Sequence, residues 1–182
     1  DNEVAQRWKD ILITEYHAGR VLDVHGFSVA TTDLFEMAGR LFLETQRFDR
    51  IGEFGRSSMI SLDMVDREFV GSGSSNWARV MADLSGQGMA TNLDVQKARE
   101  LRYFGQLINN TDMHLGNLSL SVQGGGFRLL PVYDMCSMGF APKTGEVLPF
   151  DFQPDLRETD LDMAAVERVQ EMAYEFWDNI SK

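Results

Sequence analysis

The chain has 182 residues with a formal net charge of −11, 43% apolar and 25% charged side chains. One domain or one large lobe accounts for that length, and the apolar share suffices for a sizeable core. The acidic balance argues against a general nucleic-acid surface, the single cysteine, Cys136, excludes an internal disulfide, and no run of about 18 apolar residues offers a membrane-spanning helix.

Val4, Trp8, Ile11, Leu12 and Tyr16 recur at three- and four-residue steps and predict an amphipathic helix over residues 2–18, with Gly19 and Gly26 bracketing its end. Two apolar runs around the Ala38-Gly39-Arg40 turn predict a β-hairpin over residues 34–45, which Gln46-Arg47-Phe48-Asp49-Arg50 leaves. Residues 50–58 are rich in Gly, Arg and Ser and read as a loop. Short helices are expected over residues 61–69 and 76–84. A longer one over residues 93–108 has Val95, Ala98, Leu101, Phe104 and Leu107 on one face. Asn109-Asn110-Thr111 opposes its extension, because these side chains compete for backbone hydrogen bonds. Residues 118–122 alternate with period two, Gln123-Gly124-Gly125-Gly126 turns, and residues 127–132 return as a second hairpin. Residues 141–160 read as irregular, and Leu161, Val169, Met172, Phe176 and Ile180 mark a closing helix over residues 160–180, with Phe176 and Trp177 as its anchors. The fold class is α+β, mainly α.

The chemistry concentrates between the long helix and the second hairpin. Asp112 and Asn117 have the spacing D-x-x-x-x-N, and Asp134 arrives directly after the hairpin. Kinases use this order: the Asp takes the acceptor hydroxyl proton, while the Asn and the later Asp hold magnesium against ATP phosphates. A hairpin returns the chain to its starting point, so Asn117 and Asp134 can face one ion. One carboxylate and one amide oxygen suit magnesium, which keeps room for phosphate and water ligands. Singly, each residue also suits a turn or a helix cap. Cys136 has no activating neighbour in sequence and reads as a small buried side chain.

Asn110-x-Asp112-x-His114-x-x-Asn117, followed by a hairpin and Pro131-x-Tyr133-Asp134, resembles the HipA family of bacterial serine/threonine kinase toxins. Gln46-Arg47-Phe48-Asp49-Arg50 resembles that family's E-R-F-D-R hinge, and the likeness leans to the YjjJ-like branch. The resemblance covers roughly residues 1–180 and implies a protein-kinase-like C-terminal lobe with two small hairpins. It implies Asp112 as catalytic base and His114 as a brace of the catalytic loop. Asn117 and Asp134 become magnesium ligands, Gln46 and Phe48 backbone contacts to adenine, and Asp49 a ribose contact. Arg47 and Arg50 also read as paired surface charges. ATP and Mg2+ are the implied cofactors, a protein hydroxyl the substrate, and a DNA-binding antitoxin the partner.

The departures from the family pattern are informative. No phosphate-covering loop or ATP-contacting lysine stands in the expected context. Gly71-Ser72-Gly73-Ser74-Ser75 reads instead as a cap for the helix near Asn76, and Gln46 replaces the hinge Glu. The start at Asp1 rather than Met fits a single lobe over residues 1–182 whose N-terminal lobe lies elsewhere in a longer protein. No signal peptide is apparent, so a cytoplasmic setting is expected. Three other readings stand beside the kinase: a catalytically silent nucleotide- or protein-binding module, a small-molecule phosphotransferase, and a metal hydrolase using Asp112, His114 and Asp134. His17 and His25 read as incidental.

Overall fold

The structure is a computed structural model that describes residues 2–149, 151–154 and 160–181. Five α-helices surround three small antiparallel sheets: α1 Glu3–Val24, α2 Leu62–Val65, α3 Trp77–Gly86, α4 Asn92–Leu107 and α5 Met163–Ile180. α1 begins at Asn2, whose side chain accepts from Ala5 N, and it runs past Gly19 to Val24. The expected stop at residue 18 is therefore corrected. Ala18, Val21 and Leu22 are all buried and extend the apolar stripe. Their burial outweighs the cost of about 1 kcal/mol for one glycine inside a helix.

β1 (Thr32–Met37) and β2 (Arg40–Thr45) form the expected first hairpin, with Met37 paired to Arg40 across the loop. Its two loop residues, Ala38 and Gly39, both have positive φ (52° and 74°), as a hairpin turn matching strand twist requires. The segment read as a loop contains a further small hairpin, β3 (Arg50–Ile51) with β4 (Gly55–Arg56). Two-residue strands leave almost no periodicity to read. β6 (Ser119–Gln123) and β7 (Gly126–Leu129) make the hairpin expected near the site, and β5 (Ile60–Ser61) joins β6 to complete a three-stranded sheet. β5 continues directly into α2, so the sequence shows one helical segment where strand and helix abut. A single π-helical stretch, Asp66–Val70, then ends on Gly71 in the left-handed region.

The core lies between α1, α3, α4, α5 and the inner face of β6–β7. α4 is the buried strut: Ala98, Leu101, Phe104 and Leu107 face inward, and Phe104 meets Phe176 of α5 edge to face at 6.1 Å. Rings of this size each stabilise the fold by roughly 1.5–3 kcal/mol on burial. Trp177 Nε1 donates to Leu107 O at 3.2 Å, so α5 also holds the end of α4. At the other end, Thr91 caps α4 and Asp94 Oδ1 accepts from Leu129 N at 3.2 Å. The strut is thus fixed to β7 at its start and to α5 at its finish. Asn76 caps α3 through Ala78 N and Arg79 N, while Ser74 Oγ accepts from Asn76 N. No helix among the described residues is long and apolar enough to cross a membrane.

Candidate active site

The loop that carries Asp112 starts where α4 is forced to stop. Asn109 takes a left-handed conformation (φ 59°), its carbonyl accepts from Gly139 N at 2.9 Å, and Asn110 N donates to Gly105 O at 2.8 Å. Asn110 Oδ1 then accepts from Asp112 N at 3.0 Å, and its amide donates to Met135 Sδ. Two buried asparagines thus tie the loop to the segment after Asp134 before the chemistry begins. Gly139 is needed here because a Cβ would collide with the Asn109 amide. Trp77 Nε1 donates to His114 O at 2.9 Å and secures the loop's far side to α3.

His114 is oriented within this loop. Gly116 N donates to its Nδ1 at 3.0 Å, so the neutral ring carries its proton on Nε2, and Nε2 lies 3.8 Å from Asp112 Oδ1. A side chain at position 116 would crowd the ring at 2.8 Å, which explains the glycine. Asn117 Nδ2 donates both to Asp112 O at 2.9 Å and to Asp134 Oδ2 at 2.7 Å. Tyr133 ties the hairpin ends together: its hydroxyl donates to Gly116 O at 3.0 Å and meets Ser119 Oγ at 2.8 Å. Asp134 turns through the left-handed region (φ 56°), which aspartate tolerates better than most residues.

The electrostatics are those of a site short of positive charge. Burial and the nearby Asp112 push the Asp134 carboxyl up. Glu15, reaching in from α1, is raised further, to about 7, by burial and then by Asp134, with the Asp134 backbone N–H pulling the other way. Glu15, Asp134 and Cys136 offer ligand atoms within 4.8 Å of one another. The Cys136 thiol is itself pushed up to about 12 by burial and these acids, so it is inert, as expected. A hard divalent cation at Asp134 would relieve the repulsion that raises both carboxyls, whereas the protonated, soft Cys136 thiol is no ligand for such an ion.

Glu15 is absent from the residues picked out in the sequence. Its signal is visible afterwards: it lies three and seven residues before Ala18 and Leu22, an acid on the buried stripe of α1.

The segment read as a hinge meets the site in a ring contact, Phe48 to Tyr133 at 5.9 Å between centroids. Gln46 N donates to Thr31 O at 2.8 Å, leaving its carbonyl for other partners. Asp49 is almost fully buried and is held by both nitrogens of a bidentate Arg47, each at 2.8 Å, with Arg50 at 3.7 Å. The Arg47 hydrogen bond holds the Asp49 carboxyl below its ordinary range. Asp49 therefore fixes the hinge from within.

A mainly helical lobe with a loop–hairpin–Asp centre defines a kinase-like fold, and comparison with known proteins agrees. The Helicobacter pylori proinflammatory kinase CtkA matches 69% of this chain and 44% of its own, at 15% identity and TM-score 0.50. The HipA chain of a Shewanella oneidensis MR-1 toxin–antitoxin complex with HipB and operator DNA matches 93% of this chain and 47% of its own, at 16% identity and TM-score 0.61. In sequence, Toxin YjjJ of Escherichia coli (strain K12) is 40% identical over 146 residues, 80% of this chain. The profile of the HipA-like C-terminal domain matches residues 3–181, and the chain belongs to that family. It spans about a third of the length of Toxin YjjJ, at 33%.

Proposed function

We propose that this chain is the large lobe of an ATP- and magnesium-dependent serine/threonine protein kinase of the HipA toxin type. The observation that carries the reading is the Asn117 amide, which meets Asp112 O and Asp134 Oδ2 together at the mouth of the β6–β7 hairpin. Asn117 and Asp134 would hold magnesium, which when bound neutralises phosphate charge during transfer. Asp112 positions the acceptor hydroxyl and takes its proton. The hydroxyl oxygen bonds to the γ-phosphorus, the bond from that phosphorus to the β,γ-bridging oxygen breaks, and ADP leaves. His114 braces the loop by its bond from Gly116 and presents Nε2 to Asp112.

At the hinge, the Gln46 carbonyl and the Phe48 backbone would meet adenine. For Asp49 to meet ribose, Arg47 must share it. The chain would work joined to a second lobe that covers the phosphates, whose lysine Glu15 would neutralise, as kinases pair a lysine with a helix glutamate. A protein hydroxyl is the substrate and an antitoxin the partner, in a cytoplasmic setting.

The test uses the full-length protein with ATP labelled at the α or γ phosphate, beside Asp112→Asn. Labelling of protein from γ alone, lost in the variant, is the expected result. Labelling from α would indicate nucleotidyl transfer, and none from either, with extract present as acceptor, would favour a silent binding module.

A further inference from the structure

A groove of about 690 Å³ runs from His114 and Gly116 along Ser61, Asp63 and Asp66 to the Ser74 turn. It opens beside the catalytic aspartate, since the His114 ring that lines it is 3.8 Å from Asp112 Oδ1. Its far wall contains an unusual group. Asp66 begins the π-helical stretch, is only 6% exposed, and faces this groove. Its carboxylate accepts one hydrogen bond, from Ser72 N at 3.0 Å. Among the described residues no basic side chain pairs with it. A buried carboxylate without a counter-charge is costly, and a cation arriving in the groove would remove that cost. The guanidinium that lines the groove, Arg67, is already tied to Asp63 at 3.0 Å, four residues before it. The wall is therefore net negative and its only arginine is engaged. Along the same groove, the Ser74 hydroxyl accepts from Asn76 N, so its own proton is left to be donated to a peptide carbonyl.

We propose that this groove is the acceptor site. It takes an extended peptide whose serine or threonine lies at Asp112 and whose neighbouring lysine or arginine lies at Asp66. Asp66 is the chief specificity-determining residue, and Asp63 lends a weaker, more exposed charge. This rests on the kinase reading for the transfer step, but the binding it asserts can be measured alone.

The experiment uses the full-length protein and two sets of peptides, with arginine or glutamate flanking a central residue. Binding is read by calorimetry on peptides with alanine at the centre, and transfer on peptides with serine there. Arginine-flanked peptides should bind at least tenfold tighter than glutamate-flanked ones. Asp66→Asn, which keeps the acceptor for Ser72 N, should reduce that ratio about tenfold, and the exposed Asp63→Asn should reduce it less. Unchanged binding of uncharged peptide would show that each variant is folded. Equal binding of both sets, or a ratio that survives in both variants, overturns the groove assignment whatever happens to transfer. Charge-selective binding lost at Asp66→Asn, with transfer to no peptide, upholds the groove and overturns the kinase step.

Discussion

The two principal hairpins share one turn and differ in almost everything else. In β1–β2 the loop is Ala38-Gly39, and in β6–β7 it is Gly124-Gly125; all four residues have positive φ. Yet Leu120 and Phe127 of the second are buried in the core, whereas Phe35 and Met37 of the first are exposed, and Phe35 stacks on Phe42 at 5.6 Å. Turn chemistry makes a hairpin; it does not say what the hairpin packs against. The β6–β7 pair is held by β5, by Asp94 at Leu129 and by Tyr133 at its open end. It can therefore hold two site residues to fixed positions. The β1–β2 pair leads to a hinge secured chiefly by Asp49 and its arginines.

The sharpest way to test that contrast is at the rigid end. Asp112→Asn should lower phosphoryl transfer by about a thousandfold while nucleotide affinity and melting temperature hold, because the loop is fixed by its asparagines rather than by this carboxylate. Kinetics beside calorimetry would check both. Leu120→Ala should cost about 3 kcal/mol in denaturant melts, the usual cost of emptying a closed core position.

Glu15 supplies a pH dependence whose sign can be worked out. Its carboxyl titrates near 7 in the fold against 4.5 ordinarily, so the folded state holds the extra proton between those values. Stability is then full below about pH 4.5, falls as pH rises to 7, and is level above. Asp134 contributes in the same direction. Glu15→Gln should flatten most of that slope and stabilise the unliganded protein at pH 8 by about 2 kcal/mol, read from melts across pH. Asp134→Asn should weaken Mg·ATP binding at least tenfold with folding intact, and an unchanged affinity would remove it from the metal site. The smallest effect belongs to the exposed hairpin. Phe35→Ala should cost less than about 1 kcal/mol, and a cost near that of Leu120→Ala would mean that the two hairpins are equally integrated.

The sequence reveals the site better than it reveals the scaffold around it. Asp112, His114, Asn117 and Asp134 are close in sequence on a loop and a hairpin, so spacing alone brings them together. Glu15 stands far back in the chain on α1, and only helix packing places it beside Asp134. Both main hairpins and the four longer helices follow from periodicity and turn residues. The end of α1 does not, because one glycine at position 19 weighs less than the buried Val21 and Leu22 that follow. β5 and the β3–β4 pair are two residues per strand and carry no pattern of their own. The Arg47–Asp49 clamp depends on side-chain geometry that the R-F-D-R letters cannot convey.

The bond from Trp77 to His114 O also gives the molecule an internal optical gauge. Of its three tryptophans, Trp8 is exposed on α1 and Trp177 lies on α5, while Trp77 is 1% exposed with its indole N–H on the loop that carries Asp112. With Trp8 and Trp177 replaced by phenylalanine, the emission wavelength of the remaining indole reads the seating of that loop directly. A blue-shifted signal that stays fixed on adding nucleotide would mark a loop set in advance; a shift to the red would record its release, with no label attached.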